Sequence, residues 1–161
     1  MAIFSIDLSS LDGTNGFRLD GSGSELESGK SVSTAGDVNG DGFDDVIIDA
    51  PGGNYGLSYV VFGRASGFDA ALNLSKLNGS DGFRLDGERS FSSAWHSVGN
   101  AGDVNGDGFG DVIIGAAFDG TSGSSYVVFG RASGFSAVLD LSSLDGSNGF
   151  RVDGLAVGGG W

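Results

Sequence analysis

Eleven consecutive residues, Ser58 to Phe68, return unchanged at Ser125 to Phe135. Phe17-Arg18-Leu19-Asp20-Gly21 returns at Phe83 to Gly87 and, with one change, at Phe150 to Gly154, in steps of 66 and 67 residues. Such a period confines the fold, because each unit is one supersecondary structure that must bury its apolar face against the next. The extra residue of the second step lies between Ala117 and Tyr126, in a Gly/Ser run where insertions are tolerated. The 161 residues, 39% of them hydrophobic, are enough for a packed core and argue against disorder. Thirty-two glycines without a three-residue period exclude collagen and fit short strands joined by Gly-rich turns.

Each unit reads as four strands. Strand one covers about Ser31 to Ala35 and Ser97 to Ala101; strand two is Asp45 to Ala50 and Asp111 to Ala116. Strand three is Ser58 to Gly63 and Ser125 to Gly130; strand four is Gly82 to Asp86 and Gly149 to Asp153. A further strand four, Gly16 to Asp20, precedes the first unit. Strands two and three carry unbroken Val-Ile-Ile and Tyr-Val-Val-Phe runs, so both faces of each small sheet are expected to be covered. Sheets stacked face to face, one per repeat, describe a β-propeller. A sandwich of repeats is the alternative, and it predicts cleaner alternation. The expected fold is all-β: two four-stranded antiparallel blades plus an extra outer strand. The divisions are 1–21 (outer strand of a preceding or shared blade), 22–87 (blade 1), 88–154 (blade 2) and a tail, 155–161. Gly158-Gly159-Gly160-Trp161 reads as a linker with a Trp handle.

Between strands one and two each unit carries D-x-N-x-D-G-x-x-D: Asp37, Asn39, Asp41, Gly42 and Asp45, then Asp103, Asn105, Asp107, Gly108 and Asp111. Oxygen-bearing side chains at positions 1, 3, 5 and 9, with the carbonyls of Phe43 and Phe109 at position 7, wrap one point with the oxygens a hard cation such as Ca²⁺ needs. Glycine at position 6 supplies the sharp turn. Asp, Asn and Gly are also ordinary turn residues. Two copies differing at one position, Asp44 against Gly110, with all four ligand positions filled, favour metal binding, two Ca²⁺ per chain. An EF-hand is excluded: position 12 holds Ile48 and Ile114 rather than a bidentate Glu, and the flanks Ser31-Val32-Ser33 and Val46-Ile47-Ile48 are β-like.

The formal net charge of −13 repels nucleic acid and anionic membranes. Cysteine is absent, so there is no disulfide or thiol chemistry. No apolar run reaches transmembrane length, and Met1 to Leu11 does not read as a signal peptide. Ser28-Gly29-Lys30-Ser31 resembles the end of a phosphate loop, but Ser24 stands where that loop needs Gly, and Glu25 and Glu27 repel phosphate. His96, the single histidine, reads as a loop residue beside Trp95, not as a general base. Asn73-Leu74-Ser75 and Asn78-Gly79-Ser80 match the glycosylation pattern, but Asp7, Asp12, Asp140 and Asp145 stand at equivalent places, which reads as Asp/Asn exchange in turns.

Phe62-Gly63 and Phe129-Gly130, the two loops, and the following Ile-Ile-Asp-Ala-Pro and Ile-Ile-Gly-Ala-Ala resemble FG-GAP repeats, the blades of integrin α-subunit propellers and of many bacterial surface proteins. The resemblance covers nearly the whole chain. It implies a Ca²⁺ site in the hairpin between the first two strands of each blade, with Asp37, Asn39, Asp41, Phe43, Asp45 and Asp103, Asn105, Asp107, Phe109, Asp111 as ligands. Asp49 and Ala117 depart from the Gly and Pro of the family pattern, and Asp49 is expected to face the solvated axial channel. The resulting expectation is an extracellular Ca²⁺-stabilised scaffold or adhesion module with a protein or glycan ligand. A carbohydrate-binding propeller, hinted at by Trp95, is the alternative, and no spacing pairs carboxylates such as Asp49 and Glu88 for enzymatic work. Two blades do not close a ring, so a homo-oligomer is expected, a trimer of six blades, with one of the spare outer strands latching neighbours.

Overall fold

The computed structural model describes residues 5–21, 23, 27–52, 56–87, 96–117 and 122–155. Eleven strands run in chain order: β1 (Arg18–Asp20), β2 (Val32–Gly36), β3 (Asp45–Ala50), β4 (Leu57–Val61), β5 (Ala71–Asn73), β6 (Gly82–Asp86), β7 (His96–Gly102), β8 (Asp111–Ala116), β9 (Ser124–Val128), β10 (Val138–Asp140) and β11 (Gly149–Asp153). Strands two and four of both units fall where the sequence places them. The four-stranded sheet β11-β9-β8-β7 is antiparallel throughout and is one blade; β6-β4-β3-β2 is the other.

Three features depart from the sequence expectation. Strand three ends at Val61 and Val128, because the next Gly63 and Gly130 give their N–H groups to loop carboxylates instead of a strand. The strand at the N-terminus is shortened to Arg18–Asp20, since among the described residues it pairs with β5 alone, over three residues. The blades are also not purely antiparallel. The short β5 and β10, absent from the sequence reading, add in parallel to β1 and β6, so the first blade's sheet has five strands. Each of these short strands leads into a one-turn 3₁₀ helix, Leu74–Lys76 or Leu141–Ser143, whose leucine enters the core. Asn73 and Asp140 cap those turns in the same way, as does Asp7 before Leu8–Ser10. Asp–Asn exchange at these positions therefore follows from a shared capping role.

The main core lies between the blades. Ala35, Val38, Ile47, Val60, Phe62, Phe83 and Leu85 of the first meet Val98, Val112, Ile114, Tyr126, Val128 and Leu141 of the second. A second cluster, Ile48, Ala50, Tyr59, Val61, Leu74 and Leu77, lies on the opposite face of blade 1, with Leu19 of β1 against it. Blade 1 is therefore covered on both faces, as its continuous apolar strands require. Backbone bonds also cross between the blades: Gly110 N–H donates to the Asp37 carbonyl at 2.7 Å and Arg131 N–H to the Val38 carbonyl at 2.9 Å. The first loop is thus braced by the blade that follows it.

Candidate metal centres

Residues 37–45 join β2 to β3, and 103–111 join β7 to β8. Their first three polar side chains turn into their own loop. Asp37 accepts from the N–H of Asp41 at 3.0 Å and of Gly42 at 2.9 Å. Asn39 Oδ1 accepts from Asp41 N–H at 3.0 Å, its Nδ2 donates to Asp41 Oδ2 at 3.0 Å, and Asp41 Oδ1 accepts from Phe43 N–H at 2.9 Å. The second loop repeats these bonds. Asp103 accepts from Asp107 and Gly108, Asn105 bridges both ends of Asp107, and Asp107 accepts from Phe109. Gly42 and Gly108 sit at φ of 88° and 93°, which lets the chain fold back on the first aspartate.

The ninth-position acids do something else. Asp45 and Asp111 are buried and bind two backbone N–H groups each. Asp45 accepts from Val38 and from Gly63, both at 2.8 Å; Asp111 accepts from Val104 at 2.7 Å and Gly130 at 2.9 Å. A Cβ on Gly63 would lie 2.5 Å from the Asp44 carbonyl oxygen, and one on Gly130 2.3 Å from that of Gly110. The Phe-Gly pair and the loop acid are therefore one joint, tying the end of strand three to the start of strand two. Sequence reasoning treated these as separate features; the recurrence of a Gly 18 or 19 residues after the acid was the signal that links them. Burial pushes the Asp45 carboxyl up to about 6, with the charges of Asp41 and Asp37 adding to the rise and the bonds from Gly63 and Val38 opposing it.

Among the described residues no three Asp, Glu, His or Cys side chains converge as a group on one point. The loop N–H groups hold the carboxylates instead. Asp103 Oδ1 accepts from both Gly106 and Asp107, while the other carboxylate oxygens so held accept one bond and keep a second lone pair. The set offers oxygen donors only, several of them carboxylates, and this fits a hard divalent ion.

Other candidates separate from the loops. Asp49 is fully buried on β3 and accepts from Ser58 Oγ at 3.2 Å, so it does not face a solvated channel. It is buried on a strand that lies between β2 and β4 in the sheet. Lys30 reaches Glu27 at 2.8 Å, which sets a carboxylate where a phosphate loop would set its ligand. Asn78 accepts from Ser80 as Asp145 does from Ser147, the same turn in both units. Trp95, Glu88, Glu25, Ser24 and the tail 156–161 lie outside the described residues, as does the side chain of His96.

The FG-GAP repeat family model matches residues 28–62 and 94–128, each stretch running through a loop to strand three. The chain carries two FG-GAP repeats of the integrin alpha type. It is 36% identical to integrin alpha-4 of Xenopus laevis over 103 residues, 59% of this chain and 9% of that protein. It is 31% identical to integrin alpha-PS2 of Drosophila melanogaster over 147 residues, 82% of this chain and 10% of that protein. Against integrin alpha-V of Gallus gallus the identity is 34% over 122 residues, 68% of this chain and 11% of that protein. The FG-GAP chain thus spans about a tenth of the length of these relatives. No helix among the described residues is long and apolar enough to cross a membrane.

Proposed function

We propose that this FG-GAP chain is a calcium-binding propeller module, a structural scaffold for adhesion or protein–protein contact. The observation that carries the reading is the near bond-for-bond duplication of two oxygen-only loops, each with more carboxylates than its surroundings neutralise. Asp37, Asn39, Asp41, Asp45 and the Phe43 carbonyl hold one ion; Asp103, Asn105, Asp107, Asp111 and the Phe109 carbonyl hold the other. The ion supplies charge neutralisation and a cross-link within the loop, not a reaction. An affinity of roughly 10⁻⁵ to 10⁻³ M suits an extracellular setting. At about 100 times the dissociation constant one site adds roughly 2.7 kcal/mol. Thermal melting checks this: chelator lowers the midpoint, and Asp41→Ala combined with Asp107→Ala removes the response to calcium. A curve unmoved by chelator refutes the proposal.

Copies of the chain are proposed to stack head to tail into a ring, with residues 22–87 and 88–154 as its blades. Four open apolar positions support this by having a covered counterpart one repeat away. Val104, Ile113 and Val152 are exposed on blade 2, where Val38, Ile47 and Leu85 of blade 1 lie buried under blade 2. At the other end Val32 is 66% exposed, where Val98, packed against blade 1, is 8% exposed. A blade 2 followed by another copy's blade 1 repeats the contact already made inside the chain.

A further inference from the structure

Residues 7–20 and 140–153 differ only at Thr14/Ser147 and Leu19/Val152. We propose that the N-terminal module, residues 5–20, occupies within its own chain the place where β11 of a second copy docks, so that head-to-tail association proceeds by exchange of these two modules. This rests on the stacking proposed above and names its acceptor surface, its occupant and its internal competitor.

The acceptor is visible twice. On β6, β10 pairs in parallel with Arg84 opposite Val138 and Leu85 opposite Leu139, Arg84 N–H donates to the Ala137 carbonyl at 2.9 Å, and Phe135 stacks on Phe83 at 4.7 Å. On β1, β5 pairs with Arg18 opposite Ala71 and Leu19 opposite Leu72, Arg18 N–H donates to the Ala70 carbonyl at 3.0 Å, and Phe68 stacks on Phe17 at 4.0 Å. Arg131 and Arg64 lie over the two covering rings. Each outer strand is thus clamped by the next unit's short strand and its Phe.

The third outer strand has no such cover. β11 has β9 on one side and, among the described residues, no strand on the other. Val152 is 52% exposed where Leu85 is buried. Three equivalent glycines report the same difference. A Cβ on Gly13 would lie 2.1 Å from the Phe68 carbonyl oxygen and one on Gly79 2.2 Å from that of Phe135, whereas one on Gly146 meets no atom within 4 Å. The cover that β11 needs is a β5 with its Phe68, and the chain's own β5 already holds β1.

The internal occupant is the weaker of the two. β6 and β11 are each held over five residues by the strand three of their own blade, while β1 has β5 alone. Leu74 and Leu141 are buried, but Leu8 at the same place is 76% exposed, because among the described residues no blade lies behind it. Exchange replaces a strand held on one edge by one held on both. One corner resists: Asp44 stands at the place of Gly110, where a Cβ would lie 3.0 to 3.1 Å from the backbone of the preceding blade, so docking there shifts the neighbour by a few tenths of an ångström.

Glycine substitutions in the full chain separate the steps, read by sedimentation velocity over a concentration series. Gly13→Ala drives the internal module off the Phe68 carbonyl and is expected to lower the concentration for half-association at least tenfold. Gly146→Ala is unopposed in the lone chain but meets a second copy's Phe68 on docking, and is expected to raise that concentration at least tenfold. Gly29→Ala, with a φ of 93° and open space, carries the same backbone strain and is expected to leave association unchanged. A synthetic peptide of residues 5–21 returns Gly13→Ala to single chains. Association equal in wild type, Gly13→Ala and Gly146→Ala overturns the exchange but leaves stacking intact. Single chains for wild type and Gly13→Ala at every concentration overturn both.

Discussion

The carboxylates of each loop divide by what they touch, and the division makes position 9 different from position 5. Asp41 lies on the exposed loop and meets groups of that loop alone, so Asp41→Ala in chelator is expected to change stability little. Asp45 holds the N–H groups of Val38 and Gly63, and Asp45→Ala leaves both without that acceptor in the interior. The expected loss is about 2 to 4 kcal/mol, present with or without calcium. Denaturant unfolding in chelator checks the pair, and equal losses from the two substitutions contradict the assignment. The spacing of acids was plain in the sequence, but it gave all four side chains one role. What it hid is that the ninth acid also closes the hairpin onto strand three. Asp49 was misplaced for a related reason: a charged residue in an otherwise apolar strand reads as a solvent-facing one, and only the folded chain shows its carboxyl buried and bonded by Ser58 of the neighbouring strand.

At the scale of elements, the long apolar strands were legible because continuous Val-Ile-Ile and Tyr-Val-Val runs admit few other readings, and β3, β6, β8 and β11 keep their expected bounds. The three-residue strands β5 and β10 were not. A stretch such as Val138-Leu139-Asp140 has too few residues for periodicity, and its partner lies in the other repeat. Yet these strands carry the linkage between units. Phe135 stacks on Phe83 and also meets Phe62 at 5.3 Å, inside the cluster that joins the blades. Phe68 stacks on Phe17, which immediately precedes β1, a strand held at one edge by β5. Phe135→Ala is therefore expected to cost about 3 kcal/mol, near the low end for a buried Phe because the ring is partly covered, and Phe68→Ala distinctly less. Chemical denaturation ranks the two, and a larger loss for Phe68→Ala contradicts the linkage.

Over the whole molecule, two forces oppose each other when copies approach. The apolar positions Val104, Ile113 and Val152 at one end and Val32 at the other favour contact, since each has a buried counterpart within the chain. A formal charge of −13 on each copy opposes it, and seven of the acids lie in the two loops, with Val104 itself inside the second. Two Ca²⁺ held as proposed would reduce the charge to −9, at the loops where it is densest. Screening does the same without a specific site: the Debye length falls from about 30 Å at 0.01 M to about 8 Å at 0.15 M. Association is therefore expected to be weakest in chelator at low ionic strength, to strengthen with added monovalent salt, and to strengthen further with calcium at fixed ionic strength. Propellers close with about four to eight blades, so two blades per chain allow rings of two, three or four copies. Three copies make a ring of six blades, in the middle of that range, and light scattering in calcium is expected to give three times the 16.2 kDa chain. A different closed mass refutes the trimer alone. Association that strengthens as salt is removed refutes the balance of forces, because it would mean that attraction between charges, not burial of apolar faces against repulsion, brings the copies together.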